Sequence, residues 1–234
     1  MATVACGGPG EENNDQNVIA MEKQISAAAA AAKIKDGMTV MVGGFLGNGT
    51  AERVVDALVA SGVKNLTLIL NDTAYPDKGA GKLIVNKQVK KIIASHIGTN
   101  QFTGQQMNEG TLEVEFCPQG SLAERVRCGG CGLGGALTRT GLGTDVAKGK
   151  SIIQVDGVDY LLEKPLHADV AILGASVGDK AGNLVYKGTS QNFNPLMAMA
   201  ADVVIAEVKE LKEVGSIAPE QVHTPSILVD YIVA

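Results

Sequence analysis

The chain has no tryptophan, only four phenylalanines and four tyrosines, and just three histidines in 234 residues. With aromatics at 3%, a core must be assembled from small aliphatic side chains, which suits helices packed closely on a parallel sheet of short strands. No run of eighteen apolar residues occurs, so a membrane-spanning helix is excluded. A net charge of −5 leaves no basic footprint for nucleic acid. Lys82, Lys87, Lys90 and Lys91 form a local basic group, read as a solvated helix face followed by a strand end. His96, His167 and His223 are scattered with no serine or cysteine motif beside them, which argues against a hydrolytic triad.

Cysteine is also scarce: Cys6, Cys117, Cys128 and Cys131. Cys128 and Cys131 have the two-residue gap of a zinc or redox pair, yet a structural zinc site needs four ligands and glycines fill the gap. No metal site is expected, and the cysteines are assigned to slots for small side chains in a reducing cytoplasm. The Ala27 to Ala32 tract, flanked by Lys23, Lys33 and Lys35 and preceded by Glu11, Glu12 and Asp15, reads as a soluble helix rather than a secretory signal. Residues 1–20 are polar and aperiodic, expected as a disordered leader before a single α/β domain over residues 21–234. At 45% hydrophobic content such a domain has core enough without crosslinks.

What the chain does have is glycine at a junction. Met38 to Phe45 reads as a buried strand and runs into a loop holding Gly43, Gly44, Gly47 and Gly49, after which Thr50 is placed to cap an amphipathic helix. Bare backbone there leaves N–H groups to point outward near the positive end of the helix, toward a negatively charged or polarised oxygen. A phosphate-binding P-loop is excluded because no lysine stands at the required place, and the dinucleotide pattern fails at Glu52, where its third glycine should be. A tight turn with no ligand is the plain alternative.

Along the rest of the chain, helices are expected at Glu22 to Lys35, around Lys82 to Lys87 and at Ser121 to Arg127, with strands at Leu66 to Leu70, Lys91 to His96 and Leu112 to Phe116. Glu113 and Glu115 are expected to face solvent. Five glycines between Gly129 and Gly135 argue against regular structure there. Ile152 to Val155 and Asp159 to Leu162 flank Asp156-Gly157, the type I′ hairpin signal. Strands then follow at Val170 to Leu173, Leu184 to Tyr186 and Val203 to Val208, with Asn194-Pro195 opening a helix. Alternating strands and helices imply an open, mainly parallel α/β sheet with helices on both faces and a small β-hairpin excursion.

Four blocks carry a family resemblance: Asp36 to Phe45 (DGMTVMVGGF), Pro118 to Arg127 (PQGSLAERVR), Thr140 to Thr144 (TGLGT) and Gln191 to Ala201 (QNFNPLMAMAA). From about Glu22 to Val233 the chain resembles the A (alpha) subunit of family I coenzyme A transferases. The stretches Gly132 to Thr144 and Tyr160 to Pro165 are most similar to the branch acting on acetate, butyrate and acetoacetate. One departure is visible: Thr50 and Ala51 follow Gly49 where the family usually places a proline.

The resemblance implies ping-pong transfer of coenzyme A between an acyl-CoA and a short-chain carboxylate, through an acyl-glutamyl anhydride and an enzyme-CoA thioester. It implies a beta-subunit partner carrying the glutamate nucleophile in a Glu-Asn-Gly motif, an α2β2 assembly, and coenzyme A as substrate with no covalently bound cofactor. The present sequence has no Glu-Asn-Gly, and Asn108-Glu109-Gly110 reverses the order. By the same resemblance Gln119 is the oxyanion-side amide. Gly43, Gly44, Phe45, Gly47, Gly49, Asn192 and Asn194 are assigned to the substrate pocket. Plain structural readings stand beside these: Gln119 tying a turn, Asn194 capping a helix, Asn192 satisfying a buried loop. A sugar-phosphate isomerase or sensor domain of the same fold is the alternative function.

Overall fold

The computed structural model describes residues 23–234; the expected leader over residues 1–20, and Cys6 with it, lies outside the described residues. The strands are β1 (Thr39–Val42), β2 (Leu66–Leu70), β3 (Val89–Ala94), β4 (Glu113–Phe116), β5 (Ala136–Thr138), β6 (Ile152–Val155), β7 (Val158–Glu163), β8 (Ala168–Asp179), β9 (Leu184–Val185), β10 (Ala201–Lys212) and β11 (Tyr231–Val233). The α-helices are α1 (Ala27–Ala31), α2 (Glu52–Ser61), α3 (Gly81–Val85), α4 (Gln101–Asn108), α5 (Gln119–Gly130) and α6 (Asn194–Met199).

Seven strands form a parallel sheet in the order β11-β10-β8-β1-β2-β3-β4, and β9 adds antiparallel to the far end of β8. Successive residues of a strand point to opposite faces, and two cores result. Val40, Leu68, Ile92 and Ile172 pack under Ala30, Val54, Leu58 and Leu83 of α1, α2 and α3. Met41, Ile69, Ile93 and Leu173 pack against Leu122 and Val126 of α5 and Met197 and Ala198 of α6. The central strands are apolar in both registers because both of their faces are covered. Burying a side chain such as Leu58 or Leu122 contributes about 1.5–3 kcal/mol.

Several expectations need correction. The first helix is confined to Ala27–Ala31, because Gln24 bridges to Ile232 and Ile25 N–H donates to the Ile232 carbonyl at 2.8 Å, so this stretch of chain is drawn to the sheet edge beside β11. Helix α5 continues through Gly129 and Gly130, where irregular chain was expected. A Cβ on Gly129 would strike the Leu166 carbonyl, so glycine lets the helix approach the segment leading into β8. β11 was not foreseen, and β8 and β10 each run for 12 residues. The Asp156-Gly157 hairpin is present with φ of +50° and +76°, as a type I′ turn requires, and β5 makes its sheet three-stranded.

Candidate active site

Because β1 to β4 run parallel, the turns that follow them share one edge of the sheet, the place where open α/β sheets gather ligands. Gly43 to Phe45 follow β1, Asn71 and Asp72 follow β2, Ser95 and His96 follow β3, and Cys117 to Gln119 follow β4.

The glycine loop closes on itself. Phe45 and Asn48 exchange backbone hydrogen bonds of 2.9 Å in both directions, with Leu46 (φ +51°) and Gly47 (φ +84°) at the tip. Gly43 N–H donates to the Ile172 carbonyl at 2.9 Å and Gly44 N–H to Asn192 Oδ1 at 3.2 Å. Leu46 N–H donates to Asp72 at 3.0 Å. The expected outward row of amides is therefore largely consumed internally; Gly47 and Gly49 are the loop glycines whose N–H groups donate to no protein acceptor among the described residues.

Nor is the helix end free. Glu207 of β10 accepts from the first-turn amides of Arg53 (2.8 Å) and Val54 (3.1 Å) while pairing with Arg53 Nε at 3.2 Å. An internal carboxylate thus occupies the position where the sequence suggested a ligand oxygen. Thr50 does not cap this helix: Ala51 holds the cap position without a side-chain bond, and Thr50 Oγ1 donates instead to the Gly43 carbonyl at 2.9 Å, closing the loop.

Asn192 and Asn194 act on the same loop. Asn192 Nδ2 donates to the Asn48 and Thr189 carbonyls at 3.1 and 2.9 Å. Asn194 was expected as either a helix cap or a pocket group, but Phe193 occupies the cap position and Asn194 begins the helix. With no exposed surface, its Nδ2 lies 2.9–3.0 Å from the carbonyls of Gly49, Gly174 and Ser190. Its Oδ1, buried without a hydrogen-bond partner, lies against Gly43, where any Cβ would collide with it. Seven residues assigned from the sequence, Gly43, Gly44, Phe45, Gly47, Gly49, Asn192 and Asn194, are thus brought together. A groove of about 530 Å³ beside them is lined by Gly47, Gly49, Ser176, Lys187 and Lys209 among others.

Gln119 stands apart from that loop. Three strand spacings separate the ends of β1 and β4, about 14 Å, so one carbonyl oxygen cannot touch both. Gln119 is exposed at the start of α5 with Oε1 2.6 Å from Ser95 Oγ and no partner for Nε2 among the described residues. The next residues, Gly120 and Ser121, border a cavity of about 510 Å³ with Leu137, Thr138, Thr140 and Glu163.

Of the two strand carboxylates, Glu113 faces solvent as expected and Glu115 does not. Glu113 pairs with Lys91 at 2.8 Å, and Glu115 is half-buried between Lys91 (3.2 Å) and Arg125 (2.7 Å). Burial pushes the Glu115 carboxyl up, but the Arg125 and Lys91 charges outweigh it and hold it below the usual carboxylate range. Glu163, which is 1% exposed and bound by Lys150 at 2.6 Å, was not foreseen as a site residue. Its lone place in a strand looks like any solvated charge until the end of β7 arrives beside Arg125 of α5, whose Nε lies 3.9 Å from Glu163 Oε2. Among the described residues no His, Cys, Asp and Glu cluster could hold a metal; Cys128 is buried, Cys131 is exposed, and both are free thiols.

The sequence profile described as Coenzyme A transferase matches residues 24–234. The chain belongs to the coenzyme A transferase family. It is 56% identical to the acetoacetyl-CoA:acetate/butyrate CoA transferase alpha subunit of Clostridium acetobutylicum over 85% of this chain and 91% of that protein. It is 53% identical to the acetate CoA-transferase subunit alpha of Escherichia coli, over 85% of this chain and 90% of that one. In fold it resembles the glutaconate coenzyme A-transferase of Acidaminococcus fermentans, with a TM-score of 0.77 and 20% identity over 90% of this chain and 75% of that chain. An acyl-CoA transferase of Escherichia coli O157:H7 gives a TM-score of 0.80 at 22% identity over 92% of this chain, which spans half of that longer polypeptide. Transferase relatives of this kind lend no support to a sugar-phosphate isomerase or sensor. No helix of the described residues is long and apolar enough to cross a membrane.

Proposed function

We propose that this chain is the alpha subunit of a transferase that moves coenzyme A between a short-chain acyl-CoA and a carboxylate of the acetate, butyrate and acetoacetate class. A beta subunit supplies the nucleophilic glutamate, in an α2β2 assembly in the cytoplasm. The observation that carries the chemistry is the exposed carboxamide of Gln119, anchored through Oε1 with Nε2 unengaged at the carboxyl edge of the sheet.

In the reaction the partner's carboxylate attacks the thioester carbonyl. Negative charge builds on the carbonyl oxygen, and the C–S bond then breaks to give an acyl-glutamyl anhydride and coenzyme A thiolate. The thiolate attacks the glutamyl carbonyl of the anhydride, releasing the first carboxylate and leaving an enzyme-CoA thioester, which the incoming carboxylate resolves by the reverse steps. A preorganised donor at the developing oxyanion lowers such a barrier by about 3 kcal/mol. Gln119 Nε2 is assigned that work. The glycine loop, about three strand spacings or ~14 Å away, borders the more distant part of the substrate site. Coenzyme A enters as substrate, and no covalently held cofactor is required.

Assaying the purified chain alone and with its beta subunit tests this reading. Activity is expected only in the mixture, and turnover by the chain alone would overturn it. Gln119→Ala in the assembled enzyme is expected to lower kcat by about 10²–10³.

A further inference from the structure

We infer that Ser95 is a positioning residue that sets which end of the Gln119 carboxamide meets the substrate; this rests on the reading of Gln119 as an oxyanion donor. Ser95 follows β3 directly, one strand from Gln119. Its hydroxyl oxygen lies 2.6 Å from Gln119 Oε1 and 2.7 Å from the Asn71 carbonyl. A serine hydroxyl has one proton, so it donates to one of these oxygens at a time.

The two choices have opposite consequences. If the proton went to Asn71, Gln119 would have to turn its Nε2 toward the Ser95 lone pair. Oε1 would then face the substrate, where it would repel a developing oxyanion. If the proton goes to Gln119 Oε1, Nε2 is turned outward as a donor. The surrounding bonds favour the second arrangement. The Asn71 carbonyl already accepts the Ser95 backbone N–H at 3.1 Å, whereas Gln119 Oε1 has Ser95 as its partner and no other among the described residues. Donation to Gln119 leaves both acceptors satisfied. The Asn71 carbonyl, 2.7 Å from the half-buried Ser95 hydroxyl, is the alternative acceptor that this arrangement leaves to the Ser95 backbone N–H.

The test uses the assembled enzyme with its beta subunit and four variants: Ser95→Ala, Ser95→Thr, Gln119→Ala, and Ser95→Ala with Gln119→Ala. Loss of one orienting hydrogen bond is expected to lower kcat on the order of two- to tenfold in Ser95→Ala, with KM for acyl-CoA unchanged. Ser95→Thr, which keeps the hydroxyl, is expected to restore the rate. The double variant is expected to be no slower than Gln119→Ala, because a residue that acts only through Gln119 has nothing left to orient. An unchanged or raised kcat in Ser95→Ala, or a further loss in the double variant, would overturn the assignment to Ser95 while leaving Gln119 in place. A wild-type rate in Gln119→Ala would instead remove the oxyanion reading and the role of Ser95 together.

Discussion

The carboxylate of Asp72 holds the backbone of Leu46. Its oxygens lie 3.0 and 3.3 Å from the Leu46 N–H, and Oδ1 also accepts from Ala74 N–H at 2.8 Å. Leu46 and Ala74 have φ of +51° and +50°, a region in which side chains other than glycine are strained. One buried side chain at the end of β2 therefore stabilises two unfavourable conformations, one of them at the tip of the glycine loop.

Asp72→Ala leaves both amides without their acceptor. A loss of about 1–3 kcal/mol is expected, read as a lower urea midpoint with unchanged m-value. An unaltered midpoint would show that the loop keeps its shape without Asp72.

Gly43 and Asn194 are complementary in shape. Gly43→Ala places a methyl group against Asn194 Oδ1 in a fully buried site, and a cost of about 1–3 kcal/mol is expected. Adding Asn194→Ala should recover part of that cost, so that the two changes together fall short of the sum of the single effects. Strict additivity in thermal denaturation would refute the contact.

Glu115 should shape the acid limb of stability. Its pKa is lower folded than unfolded, so the folded chain binds fewer protons there, and the stabilisation is complete above the unfolded value of about 4.3. It is lost as pH falls from there through the folded pKa. Glu115→Gln should flatten the pH dependence below about pH 4.3 in chemical denaturation, and an identical acid limb in the variant would contradict the pairing with Arg125 and Lys91.

Tyr186 should act at the alkaline end. Burial pushes its phenol up to about 12, against the hydrogen bond with Thr224. Between an unfolded value of about 10 and that folded value, the unfolded chain sheds a proton that the native state keeps, so stability falls as pH rises. In an ultraviolet titration of the native enzyme a tyrosine should ionise at about pH 12, and Tyr186→Phe should abolish that late step.

Much of the architecture is legible in the sequence because it follows from short-range rules. Leu66 to Leu70 is an apolar run of strand length, and Asp156-Gly157 accepts positive φ at both turn positions. Gly62 ends α2 in the left-handed conformation. The helix through Gly129 and Gly130 was illegible because intrinsic propensity argues against it, and the close approach of the Leu166 carbonyl to Gly129 and of Met199 to Gly130 explains why glycine is needed. β11 is three residues long, and pairing with β10 rather than any local pattern makes it a strand.

For the candidate site, the sequence by itself determined which side chains are available: a glycine junction after β1, a glutamine after Pro118, Asn192 and Asn194 at the entry to α6, and no Glu-Asn-Gly nucleophile. Tertiary structure alone decided what those groups face. Glu207, more than 150 residues from the helix it caps, fills the expected anion position. Asn194 is turned inward on Gly43, and Ser95 arrives beside Gln119 across neighbouring strands. Local patterning constrains φ, ψ and the buried face, whereas the partner of a polar atom depends on which distant segment the sheet order brings within about 3 Å.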